Sequence, residues 1–151
     1  MPGLSVFDPA AAQLLDPKTL KPGIGELTRE MVKRYQALKG PGELPPHVSM
    51  GFNNTWIFLS DVLPRAIRKY GGFDAEALRK AALDTDIPPG GTLQGYGVKF
   101  YPPGSQLAGQ NERAFPVVTQ YIAGHAYIAW PRSVQTSDPV LPFPKGHAFA
   151  P

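Results

Sequence analysis

The chain has 151 residues, a formal net charge of +3 and no cysteine. This length predicts one domain with a core of its own, and the missing cysteine excludes disulfide bonds, thiolate metal sites and cysteine nucleophiles. Because the basic residues are few and scattered among acids, the charge pattern argues against nucleic-acid binding.

The first segment, residues 1–24, is predicted to be extended except for a short helix over residues 8–15, with Asp8 as its cap and Pro9 in its first turn. No apolar run approaches the roughly 20 residues that span a bilayer. The first residues also lack the basic and apolar regions of a signal peptide. As written, the chain is therefore expected to stay in the cytoplasm.

Two of the three main predicted helices have clear boundaries. Residues 25–39 carry apolar side chains on one helical face, and the following Gly-Pro-Gly sequence stops the helix. Residues 75–83 form the last of the three, with Asp74 as the cap that accepts hydrogen bonds from free backbone N–H groups.

The helix between them is predicted to start at Asn53 or Asn54, after an extended Pro45-Pro46 pair, and to run to about residue 70. Pro64 removes one intrahelical hydrogen bond and should bend this helix near Ser60. The helix is expected to be largely buried through a stripe of apolar residues, namely Trp56, Leu59, Leu63 and Ile67, widened by Phe58, Val62 and Ala66.

Beyond the helices the periodicity changes to that of strands. Residues 97–101 are predicted as a short strand, and residues 115–130 as a hairpin that turns at Gly124. Residues 132–151 are predicted to be a proline-rich extended tail. The sequence therefore predicts an α+β chain with three main helices and a small antiparallel hairpin.

The sequence contains no pattern that indicates a catalytic centre. The three histidines lie far apart, so no metal site is predicted. No Gly-x-Ser-x-Gly nucleophile motif occurs, and Gly95-Tyr96-Gly97 lacks the third glycine of a dinucleotide fingerprint. We expect no catalytic residue and no cofactor. The alternative is a small enzyme whose site forms across a subunit interface and depends on Asp61, Asp84 or Glu112.

The candidate binding residues are Phe52, Asn53, Asn54 and Trp56. If the helix begins here, its free N–H groups and the positive end of its dipole favour a carboxylate, and the rings are available to stack on an apolar solute. The competing interpretation is that the aromatic rings only fill the core.

Several segments, taken in order, resemble the final part of a periplasmic solute-binding protein of the branched-chain-amino-acid type, which serves ABC transporters. These segments are EMVKRY at 30–35, the helix at 52–70, DAEALR at 74–79, GYGVKF at 95–100, VTQY at 118–121 and IAWP at 128–131. The resemblance covers residues 25–131, and we expect these to form part of one solute-binding lobe.

The resemblance implies a fragment of an α/β lobe that binds a small organic solute, catalyses no reaction and delivers the solute to an ABC permease from the periplasm. Family members are more than twice as long, so the chain looks like a truncated C-terminal segment. Carried over by position, the family's cleft residues fall on Phe52, Asn53 and Trp56. Because the chain has no acidic counterpart for an α-ammonium group, an aromatic carboxylate is slightly preferred to a branched-chain amino acid.

Truncation of the lobe also implies an exposed apolar face on the helix at 52–70, and such faces usually find a partner. We therefore expect a homodimer or a higher oligomer. The rival hypothesis, from another functional class, is an oligomerising remnant or interaction protein with no ligand.

Overall fold

A computed structural model of the protein describes residues 4–8 and 12–141. The fold is α+β. Its helices are α1 (Ile24–Lys39), α2 (Pro46–Ile57), α3 (Leu63–Tyr70) and α4 (Ala75–Leu83), with one π-helical turn at Phe58–Val62 that joins α2 to α3. Its strands are β1 (Leu4–Asp8), β2 (Val117–Ile122) and β3 (His125–Trp130), and 3-10 turns lie at Ala12–Leu14, Pro17–Thr19 and Arg132–Val134.

The three strands form one antiparallel sheet in the order β1-β2-β3. The predicted hairpin is confirmed: β2 and β3 are joined by Ala123 and Gly124, whose φ angles are 50° and 86°. Two positive φ angles in a two-residue loop match the twist of the strands, and glycine adopts one of them without strain.

The start of the chain differs from the prediction. Asp8 is the last residue of β1, which pairs with β2, so it does not cap a helix. The predicted helix over 8–15 is wrong at both ends, since Ala12–Leu14 is only a 3-10 turn. Residues 9–11 lie outside the described part of the chain, as do residues 142–151 of the predicted tail. The proposed division of the chain at residues 24 and 131 stays a prediction.

Helices α1 and α4 confirm the sequence prediction. In α1, Thr28 and Met31 are buried, and the helix ends at Gly40, whose φ angle is 91°. In α4, the Asp74 carboxylate accepts hydrogen bonds from the N–H groups of Glu76 and Ala77 at 3.0 and 2.9 Å. This cap satisfies two of the free donors at the start of the helix.

Helix α2 starts seven residues before the predicted Asn53, at Pro46. A proline is well accommodated in the first turn of a helix, where its missing N–H has no intrahelical acceptor to lose. Asn53 and Asn54 are therefore internal helical residues, and the prediction that one of them caps the helix is wrong.

The π-helical turn shifts which residues of the long helix are buried. Asn53, Ile57, Val62 and Ala66 are buried, at spacings of four, five and four residues. The extra residue lies in the π turn, just before Pro64. A widened turn here accommodates the hydrogen bond that proline cannot donate.

The predicted buried stripe is consequently wrong for its two most exposed members. Leu59 is 56% exposed and Ile67 is 50% exposed. Leu59 lies two residues, or about 200° of helical rotation, after the buried Ile57, so it faces away from the core. Beyond the π turn the inserted residue rotates the helix further, which buries Val62 and Ala66 and exposes Ile67.

Among the described residues, the core consists of three apolar clusters. One joins α3 and the π turn to α4 around Ala66 and Ala81; a second lies between the sheet and Val134; the third packs α1 against Leu44 and Leu93. Trp56 contacts the first and the third. The α2–α3 helix thus connects the helical parts of the molecule.

The connection between α4 and β2 is a long loop over residues 84–116. The predicted strand at 97–101 is absent from this fully described loop, which has two isolated antiparallel bridges instead, Ile87 with Val98 and Phe100 with Asn111. Gly97 lies so close to the backbone carbonyl of Ile87 that any side chain there would clash. The loop therefore folds back tightly and forms a wall beside α2.

Candidate functional site

A cleft of about 370 Å³ lies between the α2–π segment and the long loop. Its walls are mostly apolar and its polar groups are amides and a phenol; no charged side chain is among the lining residues that the structure describes. The lining residues are Asn53, Asn54, Ile57, Phe58, Val62, Ala82, Tyr96, Val98, Phe100, Asn111 and Ala114. We call this the amide cleft.

Asn53 holds the helix to the loop at the inner end of the amide cleft. Its side chain is fully buried. Its Oδ1 accepts the backbone N–H of Leu93 at 3.0 Å, and its Nδ2 donates to Oε1 of Gln94 at 3.4 Å. Gln94 is likewise fully buried. Two amide side chains from distant parts of the sequence thus form one buried polar pair.

Tyr96 completes this network. Its hydroxyl donates a short hydrogen bond to Oε1 of Gln94, and its ring packs edge-on against Phe115, with centroids 5.9 Å apart. Burial raises the pKa of the Tyr96 phenol, because desolvation disfavours the phenolate. The hydroxyl therefore keeps its proton at neutral pH and remains a donor.

Two other asparagines of the amide cleft differ in the hydrogen bonds that their side chains make. Asn111 accepts the N–H groups of Lys99 and Arg113 and donates to the carbonyl of Gly97, so it supports the loop. Asn54 is exposed, and its side chain makes no hydrogen bond with the described residues. Asn54 is therefore free to contact a ligand at the mouth of the cleft.

The four predicted site residues do not lie together. Asn53 and Asn54 line the amide cleft, whereas Phe52 and Trp56 line a separate shallow groove of about 260 Å³ with Thr55, Leu59 and Ser60. Since all four lie inside α2, the predicted carboxylate site at a helix N-terminus is wrong. Side chains at positions 52 and 53 point away from each other because successive helical residues are about 100° apart.

Sequence reasoning did not identify Gln94 and Tyr96 as site residues. The local signal was the pair of glycines around Tyr96, which resembles an incomplete dinucleotide fingerprint. In the structure Gly95 has a φ angle of 81°, and this bend brings Tyr96 back toward α2. The juxtaposition depends on a turn and not on periodicity.

The acidic residues considered for an enzyme are each bonded to a cationic side chain. Arg65 contacts Asp61, Lys69 contacts Asp84 at 2.7 Å, and Lys99 contacts Glu112 at 3.2 Å. Asp61 and Asp84 secure α3 to the end of α4, where Thr85 donates to Asp61 at 2.8 Å. Asp61 and Asp84 thus belong to a structural network between two helices, and Glu112 belongs to an ion pair within the long loop.

A second hollow, of about 440 Å³, lies beside α1 and has Arg29 and Lys33 among its lining residues. Arg29 is paired with Glu26 at 3.1 Å. This lining combines charged with apolar side chains, unlike that of the amide cleft.

No group of three histidine or acidic side chains within the described residues could hold a metal ion. Among those residues, no helix is long and apolar enough to cross a membrane.

Comparison with known proteins relates the chain to one kind of binding protein. It is 30% identical over 138 residues to Leu/Ile/Val-binding protein homolog 7 of Brucella abortus strain 2308, and equally so to the protein of that name in Brucella suis. The protein of the same name in Brucella melitensis is 29% identical over 138 residues.

The matched region is 91% of this chain and 31% of each of these relatives. The chain thus spans about a third of the length of the curated relatives it matches. No protein-family model matches the chain. No solved structure matches it either. The resemblance predicted from the sequence is nevertheless confirmed: the chain is homologous to a segment of the Leu/Ile/Val-binding protein homologs.

Proposed function

We propose that this chain is a non-catalytic segment of the solute-binding component of an ABC importer, and that its amide cleft holds the apolar part of a small organic solute. The observation that supports this most directly is the composition of the cleft: apolar walls combined with a few uncharged polar groups. Ligand sites commonly combine these two features.

The size of the cleft favours a small solute. Its volume of about 370 Å³ lies near the lower end of the range for ligand pockets. Burying one branched aliphatic side chain contributes about 1.5–3 kcal/mol, whereas a dissociation constant of 1 mM needs about 4 kcal/mol. We therefore expect weak binding by the isolated chain, with further contacts supplied by regions that the longer relatives contain.

A branched-chain amino acid is the first candidate solute, because the relatives are named for leucine, isoleucine and valine. An aromatic carboxylate is the second. The lining residues within the described segment include no carboxylate for an α-ammonium group, which favours solutes whose polar end is an amide or an acid. The permease partner and a periplasmic location belong to the same proposal and rest on the family resemblance.

The proposal is tested by a thermal-shift screen against branched-chain amino acids, short amides and aromatic carboxylates. A ligand at a hundred times its dissociation constant stabilises the folded state by about 2.7 kcal/mol, which raises the melting temperature by several degrees.

Two phenylalanines provide a matched pair of variants for that screen. Phe58 lines the amide cleft, and Phe52 lines the shallow groove on the other side of the helix. Their side chains are exposed to a similar extent, 40% for Phe58 and 38% for Phe52. We expect Phe58→Ala to abolish a ligand-dependent shift and Phe52→Ala to retain it. The reverse pattern would move the site to Phe52 and Trp56, and no shift across the panel would contradict solute binding by this chain.

The second candidate function is an oligomerising protein without a ligand. It is favoured by the outward apolar face of the α2–α3 helix, which includes Phe52, Leu59 and Ile67. Under this alternative, and also for a solute-binding homodimer, that face would contact a second copy. Solute-dependent stabilisation separates the two functions.

A further inference from the structure

The buried network of Asn53, Gln94 and Tyr96 leaves one hydrogen-bond donor group without an acceptor. Each amide nitrogen carries two protons, and the phenol carries one. Oδ1 of Asn53 accepts the N–H of Leu93, and Oε1 of Gln94 accepts from both Asn53 and Tyr96. Nε2 of Gln94 is buried and has no partner among the described residues.

Turning the Gln94 amide over does not remove the unsatisfied donor. Nε2 would then face the Tyr96 oxygen, which can accept a hydrogen bond. The same rotation would place Nε2 of Gln94 opposite Nδ2 of Asn53, and Nδ2 would lose its acceptor. In either orientation one buried NH2 group lacks a partner, and an unsatisfied buried donor costs about 1–3 kcal/mol.

An acceptor from outside the network would give each of these donor groups a partner. Asn53 and Tyr96 both line the amide cleft, so an oxygen atom of a solute bound there lies next to both residues. With the Gln94 amide turned, Nε2 donates to the Tyr96 oxygen. The Tyr96 hydroxyl proton and Nδ2 of Asn53 are then free to donate to the incoming oxygen.

We propose that Asn53, Gln94 and Tyr96 form a head-group site that selects solutes bearing a carbonyl or carboxylate oxygen and excludes solutes whose polar end only donates. This inference rests on the proposed function, because the apolar walls formed by Ile57, Phe58 and their neighbours must hold the rest of the solute. Donors alone suit either a neutral amide or a carboxylate, and both present the same oxygen acceptor.

The experiment compares three solutes with the same branched tail: isovalerate, isovaleramide and isoamylamine. The complete chain, labelled with ¹⁵N, is titrated with each, and the side-chain amide signals of Asn53 and Gln94 are followed by NMR. We expect isovalerate, isovaleramide or both to move these signals, and isoamylamine to bind at least tenfold more weakly. The acid and the amide together show whether charge adds to recognition.

A pair of tyrosine variants tests the role of the hydroxyl. Tyr96→Phe keeps the ring that packs on Phe115 and should weaken binding of the acceptor-bearing solutes about tenfold. Tyr35→Phe, in the cluster between α1 and Leu44 and not among the residues that line the cleft, should leave binding unchanged.

Two outcomes would overturn the inference in distinguishable ways. Equal binding of all three solutes, with the Gln94 signal unmoved, contradicts the head-group site but leaves solute binding in place. Binding of none of them, with no hit in the thermal-shift screen, contradicts the proposed function and this inference together. Since the NMR titration uses the native chain, a variant that fails to fold does not affect this distinction.

Discussion

The side-chain oxygen of Asn53, in the interior of α2, accepts the backbone N–H of Leu93 at 3.0 Å, across 40 residues of sequence. Leu93 is itself fully buried against α1. This hydrogen bond connects the central helix to the long loop that walls the amide cleft. It therefore links the stability of the fold to the shape of the site.

Asn53→Ala should destabilise the protein by about 2 kcal/mol, because the buried N–H of Leu93 and the amide of Gln94 would both lose a partner. Asn54→Ala is the matched control: Asn54 is exposed, has no side-chain hydrogen bond within the described residues, and should change stability by less than about 0.5 kcal/mol. Urea unfolding measures both. Equal effects would show that the Asn53 bond does not secure the loop.

The burial pattern of the α2–α3 helix predicts a contrast between two aliphatic residues only two positions apart. Ile57 is 8% exposed and Leu59 is 56% exposed. Ile57→Ala should cost about 2–4 kcal/mol because it leaves a cavity beside α4, and Leu59→Ala should cost less than about 0.5 kcal/mol. Denaturant unfolding at low protein concentration tests this. A larger loss for Leu59→Ala would support the regular α-helical stripe instead.

The contact between α3 and α4 predicts a dependence of stability on pH. The Lys69 ammonium, followed by the Tyr70 hydroxyl, lowers the pKa of the Asp84 carboxyl from its ordinary value. Because the lowered pKa belongs to the folded state, the stabilisation is present above the unfolded pKa of about 4. It is lost as the pH falls through the folded-state value.

Asp84→Asn should therefore lower the urea midpoint at pH 7, and its difference from the native protein should shrink as the pH falls below about 4. Glu43→Gln is the control, because Glu43 is exposed. It should leave the urea midpoint unchanged at each pH. A difference for Asp84→Asn that stays constant down to pH 2.5 would exclude this carboxyl as the source of the dependence.

The outward face of the α2–α3 helix predicts self-association. If Leu59 and Ile67 contact a second copy, Leu59→Glu should convert a dimer to a monomer in sedimentation velocity, because a buried unpaired charge is strongly unfavourable. Leu38→Glu is the control, since Leu38 is 82% exposed on α1. The interface would be contradicted if the native chain sedimented as a monomer. It would also be contradicted if the Leu59→Glu variant remained a dimer.

Local signals in the sequence were sufficient for the elements whose boundaries depend on neighbouring residues. The Asp74 cap, the stop at Gly40 and the turn at Gly124 each depend on side chains or backbone freedom within a few residues, so α1, α4 and the hairpin were predicted correctly. The order of several sequence segments along the chain was likewise sufficient to indicate the relation to branched-chain-amino-acid type binding proteins, because similarity of sequence needs no coordinates.

The position of α2 and the composition of the site were decided by tertiary contacts. Pro46 is compatible with either an extended segment or a first helical turn, and the choice is not visible in the local pattern. The residue inserted in the π turn moves the buried positions beyond it to Val62 and Ala66, which a constant helical period cannot predict. Asn53, Gln94 and Tyr96 meet only after the long loop folds back onto α2, since no local spacing brings together residues about 40 positions apart.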